Sequence, residues 1–110
     1  MRGRYRAPLS AALALLLWLP AGAQPASRTY VVTVDKMKFG PVPAELHRGD
    51  IVIWDNRDIF RHSATASDGS FDIDLPAGKK VRLVIRKRGL IRFLCKYHPG
   101  MRGVLRITDR

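Results

Sequence analysis

The single cysteine of this 110-residue chain, Cys95, stands three residues before His98 and six before Met101, in the stretch CKYHPGM. Thiolate, imidazole and thioether are donors for a soft or borderline metal ion. A histidine far upstream, His62 or His47, can complete the set. A thiolate and two imidazoles near one plane, with a weak thioether on the axis, form the blue-copper arrangement, which accepts Cu(I) and Cu(II) with little rearrangement. Zinc more typically takes a fourth strong donor than a thioether. Pro99 stiffens the turn after Cys95 and Gly100 lets it bend, so His98 and Met101 can swing back toward one point.

Of the two upstream histidines, His62 is the expected ligand. It follows the strand IVIWDN and the polar turn RDIF, which places it at the end of the sandwich where the ligand loop can meet it, whereas His47 beside Arg48 and Gly49 reads as a solvated turn residue. Taken singly, a lone cysteine is most often a small buried hydrophobe and a lone methionine core filler. Their joint spacing is what points to a metal. Four protein donors leave no open position for a substrate, so the site reads as non-enzymatic. Asp72 and Asp74 share one strand face beside a turn, and Asp55 and Asp58 sit in a turn; both pairs read as surface aspartates, not as paired catalytic carboxylates.

The elements that must position these donors are strands. RTYVVTV is rich in β-branched residues, and DKMKFGPVP places Met37 and Phe39 on one face before the Gly40-Pro41 turn. In IVIWDN, Val52 and Trp54 share one face and Ile51 and Ile53 the other, the pattern of a strand covered on both sides. RHSATAS is a further extended piece. KKVRLVIRKRG alternates with Val81, Leu83 and Ile85 inward, LIRFLC carries Ile91, Phe93 and Cys95 on one face, and GVLRIT pairs Leu105 with Ile107. No segment has a helical stripe and no repeat is present, so the expectation is all-β.

The amino terminus is of another kind. Arg2, Arg4 and Arg6 precede APLSAALALLLWLP and then AGA, the order of a cleavable export signal over residues 1–23, with the domain in 24–110. An uncleaved anchor is the competing expectation, but the apolar run falls short of the ~20 residues that span a bilayer, so no stable membrane insertion is expected after cleavage. The remaining 87 residues hold 17 Lys and Arg against 9 Asp and Glu. Such charge favours an acidic partner, an anionic membrane surface or nucleic acid, and an exported protein rarely meets the last. One cysteine cannot form a disulfide within the chain, which leaves a metal as a candidate clasp for a small core.

The segments MKFGPVPAELHRGDIVIWDNRD, RHSAT, DGSFD and FLCKYHPGMRGVLRI, in that order, resemble the cupredoxins, and the Cys-x-x-His-Pro-x-Met-x-Gly loop is most similar to the amicyanin and pseudoazurin branch. The resemblance implies a Greek-key β-sandwich with one type 1 copper ion per chain, held by His62, Cys95, His98 and Met101. It implies a monomeric periplasmic carrier of single electrons between a redox donor and acceptor, with the exposed edge of His98 as the exit. Arg57, Arg61, Lys96 and Arg102 flank the ligand segments, so acidic docking surfaces on the partners are expected. Many relatives have Asn after the first histidine and a small hydroxyl residue after the cysteine, where this chain has Ser63 and Lys96. Serine is too short to reproduce the amide's longer bridge, which predicts weakened or rearranged support around the site and makes a copper carrier or scavenger the alternative function.

Overall fold

The computed structural model describes residues 2–18 and 26–109. Residues 2–18 hold no helix or strand, and Leu9, Leu13, Leu15, Leu16, Leu17 and Trp18 are exposed. No helix among the described residues is long and apolar enough to cross a membrane. The expected cleavage site and the boundary at residue 24 lie outside the described residues.

The described residues form nine strands: β1 Thr29–Asp35, β2 Lys38–Phe39, β3 Leu46–His47, β4 Ile51–Asn56, β5 His62–Ala66, β6 Asp72–Leu75, β7 Lys80–Val84, β8 Gly89–Leu94 and β9 Arg102–Thr108. They build two sheets, in the orders β2-β1-β4-β7 and β3-β9-β8-β5-β6. The chain passes between the sheets repeatedly, so β1 and β4 run parallel, as do β3 and β9, while the other pairs are antiparallel. This is an all-β sandwich, as the period-two patterning predicts.

The inward faces fit that pattern closely. Val52 and Trp54 are fully buried while Ile51 and Ile53 are half-covered; Ile91, Phe93 and Cys95 are buried on one face of β8 and its extension; Leu105 and Ile107 are buried on β9. Phe93 is the hub, edge-on to Trp54 at 5.2 Å and to Phe39 at 4.9 Å between ring centroids. Edge-to-face pairs of this kind add about 0.5–1.5 kcal/mol each beyond their burial. The β9 residue opposite Phe93 is Gly103, where a side chain would strike the ring.

One expectation fails locally. Met37 does not share a strand face with Phe39, because Lys36 and Met37 form the two-residue loop between β1 and β2, with φ of 50° and 61°. A two-residue hairpin needs both central residues left-handed to match the strand twist, a place usually given to Asn-Gly. Here Lys-Met occupies it at a steric cost. Met37 is consequently turned out and partly exposed.

Candidate metal centre

All four predicted donors come to one end of the sandwich. His62 opens β5, Cys95 follows the last residue of β8, and the segment from Cys95 to Met101 links β8 to β9. Two backbone bonds close that loop: Cys95 N–H donates to the Met101 carbonyl at 3.0 Å, and Met101 N–H to the His98 carbonyl at 2.8 Å. Met101, Cys95 and His62 are buried, and His98 is half-exposed. His47 is held elsewhere, since it pairs with Thr108 at the far end of β9, seven residues at about 3.3 Å each from the loop. It is also more than a solvated turn residue: its ring is half-buried, with Nδ1 3.7 Å from Asp50 Oδ2.

The His62 Nδ1 atom lies 3.7 Å from Cys95 Sγ, and the His62 and His98 rings meet edge-on at 5.1 Å. Phe60 packs edge-on against His98 at 6.4 Å. Among the described residues no three His, Cys, Asp or Glu side chains stand in a ready-made metal-holding cluster, and the edge-on ring contact with His62 is what brings His98 beside the His62–Cys95 pair. The donor chemistry nevertheless suits copper. His62 Nε2 is 2.9 Å from Asp58 Oδ2; a carboxylate there fixes the proton on Nε2 and leaves the Nδ1 lone pair facing the sulfur.

Asp58 is therefore a correction to the sequence reading, which left it on the surface. Its side chain is 9% exposed, and Oδ2 accepts both from His62 and from the Met37 N–H at 3.0 Å, while Oδ1 accepts the Ile59 N–H at 2.8 Å. The His62 contact first, then the Met37 amide, hold its carboxyl below the usual range. Asp58 thus ties the strained β1–β2 turn to the first histidine. Asp55 is likewise buried, paired with Arg57 at 3.0 Å. Asn56, fully buried, shapes the loop before His62: its amide donates to the carbonyls of Phe60 and Leu75, each at 2.9 Å, and its oxygen accepts the Asp58 N–H. The signal for Asp58 was its spacing four residues before His62.

Ser63 also departs from expectation. The β5–β8 register pairs Thr65 with Leu94, and two residues further it sets Ser63 across from Lys96. At that separation a short side chain reaches: Ser63 Oγ accepts the Lys96 N–H at 2.8 Å, and Ser63 N–H points at Cys95 Sγ at 3.4 Å. The bridge between the two ligand-bearing segments is present without the longer amide.

The rim is charged but largely paired. Arg61 makes two bonds to Asp74, at 2.9 and 2.6 Å, and lies over the Tyr97 ring at 5.5 Å; Lys96 Nζ is 3.0 Å from Asp72; Arg102 donates to the Pro99 carbonyl. Ile59, Phe60 and Tyr97 remain exposed in the same loops.

Solved structures with this architecture include an oxidised amicyanin variant, 28% identical over 73% of this chain and 82% of that one, with a TM-score of 0.57. A copper-containing nitrite reductase from Thermus scotoductus SA-01 is 27% identical over 84% of this chain, TM-score 0.62; the present chain spans only 25% of that enzyme. A purple cupredoxin from Nitrosopumilus maritimus shares the fold at 18% identity, covering 76% of this chain and 100% of that one, TM-score 0.60. A search of curated proteins found no match. The family model for the cupredoxin-like domain matches residues 9–107, and the chain belongs to that family.

Proposed function

We propose that this protein carries single electrons between redox proteins through one type 1 copper ion, with His62, Cys95, His98 and Met101 as the ligands. The cofactor is copper, which supplies the one-electron couple when bound. Cys95 would give the thiolate that couples the site electronically, His62 and His98 the two imidazoles, and Met101 the weak further donor that tunes the potential. The observation that carries this reading is the approach of His62 Nδ1 to the buried Cys95 Sγ at 3.7 Å, with Nε2 already committed to Asp58. Amicyanin, to which the chain is similar, is itself solved in a Cu(I) form.

In this reading, residues 1–23 export the chain to the periplasm and 24–110 act there as a monomeric domain. Partners meet the half-exposed His98 among Phe60, Ile59 and Tyr97. With Arg61 and Lys96 paired to carboxylates, docking is chiefly apolar and acidic partner surfaces are steered only weakly. Catalysis is not proposed, because four protein donors leave no position for a substrate. The copper-carrier alternative drew on a weak bridge at Ser63, and Ser63 makes that bridge at 2.8 Å.

The test is the visible absorption of the oxidised, copper-loaded protein. An intense thiolate-to-copper band is expected, lost in Cys95→Ser; a colourless wild type that binds copper refutes the reading. Rapid surrender of copper to a chelator would favour the carrier instead.

A further inference from the structure

Lys96 and Asp72 are not an isolated surface pair. Lys96 N–H donates to Ser63 Oγ at 2.8 Å, Ser63 Oγ lies 2.9 Å from Thr65 Oγ1, Thr65 Oγ1 donates to Asp72 Oδ1 at 2.8 Å, and Asp72 Oδ2 accepts from Lys96 Nζ at 3.0 Å. The four residues close a circuit across β5, β6 and the start of the ligand loop. A carboxylate only accepts, so the Thr65 hydroxyl must donate to it. That leaves Thr65 Oγ1 to accept the Ser63 proton, and turns the Ser63 lone pairs toward the Lys96 amide. The acid on β6 thus orients each hydroxyl in turn, up to the residue that follows Cys95.

We infer that Thr65, Asp72 and Lys96 are positioning residues for the Cys95 thiolate, holding Ser63 so that its N–H stays on the sulfur; the inference rests on the copper reading above. The arrangement explains how a residue as short as serine serves here. Its reach is set by register, and its direction by three partners outside the ligand set. Both charged members are partly open to water, with side chains 46% and 56% exposed, so their ion pair alone would be a weak lock. The two hydroxyl contacts, Ser63 to Thr65 and Thr65 to Asp72, give the circuit its direction. A hydrogen bond to a coordinating sulfur withdraws charge from it and favours the reduced metal, so loosening the circuit favours the oxidised one.

The charge-neutral test is Thr65→Val, which keeps shape and β-propensity and removes the hydroxyl, with Thr65→Ser as the variant that restores it. Two readouts are taken. In the metal-free, isotope-labelled full chain, hydrogen exchange at the Lys96 and Ser63 amides is expected to rise about tenfold in Thr65→Val and to match wild type in Thr65→Ser, as local opening becomes easier. In the copper-loaded protein the midpoint potential of Thr65→Val is expected to fall by a threefold to tenfold shift of the redox equilibrium, the latter about 59 mV for one electron. Wild-type exchange at both amides together with a wild-type potential in Thr65→Val overturns the inference. If wild type and variants all lack the visible band, it is the copper reading that fails, and the metal-free exchange comparison still decides the circuit.

Discussion

The sharpest perturbation of the site is Asp58→Asn. Two oxygens of Asp58 receive three N–H groups: His62 Nε2 at 2.9 Å and Met37 N at 3.0 Å on Oδ2, and Ile59 N at 2.8 Å on Oδ1. Asparagine offers one oxygen and an NH2 group, so at least one of these donors must face another donor, and the negative charge beside the imidazole is gone. An anionic acceptor on Nε2 makes the other ring nitrogen a stronger donor, and losing such a partner typically costs about 10–100-fold in metal affinity. Cu(II) depends on that basicity more than Cu(I), so Cu(II) affinity falls within that range, Cu(I) affinity falls less, and the potential rises. Competition against a chelator in each oxidation state, with a spectroelectrochemical titration, measures all three. The turn supplies a readout free of metal, since whichever of the Met37 and Ile59 amides is left facing the new NH2 group should exchange faster. A variant whose Cu(II) affinity stays within about twofold of wild type, with an unmoved potential, would refute the assignment of Asp58 as the group that orients His62.

Two further outcomes follow from packing and charge. A Cβ on Gly103 would lie 2.2, 2.7 and 2.9 Å from three atoms of the Phe93 ring, against an ordinary carbon contact of about 3.5–4.0 Å, and that ring is boxed in by Trp54 and Phe39. Gly103→Ala should therefore cost about 1–3 kcal/mol, a fall of roughly 5–20 °C in melting temperature by calorimetry; an unchanged Tm would show that β9 yields freely there. The second concerns acid. Lys87 and Ser70 hold the Asp68 carboxyl far below its ordinary range, Thr65 then Lys96 lower that of Asp72, and Arg61 lowers that of Asp74. Each folded value lies below the unfolded one, so this stabilisation is present above about pH 4 and is lost as pH falls through the folded values. Melting temperature should hold from neutral pH to about 5 and drop below about 4, less steeply in Asp72→Asn. A decline beginning near pH 6, with the variant following wild type, would exclude these carboxylates as its cause.

How much of this was legible in the chain depends on whether a property is local. Alternation in IVIWDN, LIRFLC and GVLRIT is local, and it placed Trp54, Phe93, Cys95 and Leu105 in the core correctly. The closeness of the proposed loop donors is local too, since Cys95, His98 and Met101 lie within seven residues that a pair of backbone bonds folds together. Register is not local. Nothing in RHSATAS or FLCKYH says that Ser63 faces Lys96, and a shift of one residue would have put every side chain on the other face. Judged by reach alone serine looked too short; judged at its actual separation it suffices. Asp58 was hidden differently: turn aspartates are usually solvated, and only the inward fold of the loop, drawn in by Asn56 bonds to Phe60 and Leu75, brings this one under His62. The proposed ligands can thus be read along the chain, whereas the groups that would orient them, Asp58 below the histidine and the Ser63 circuit beside the sulfur, exist only across strands. Substitutions at those positions are accordingly expected to shift potential and affinity while the ligand motif itself stays intact.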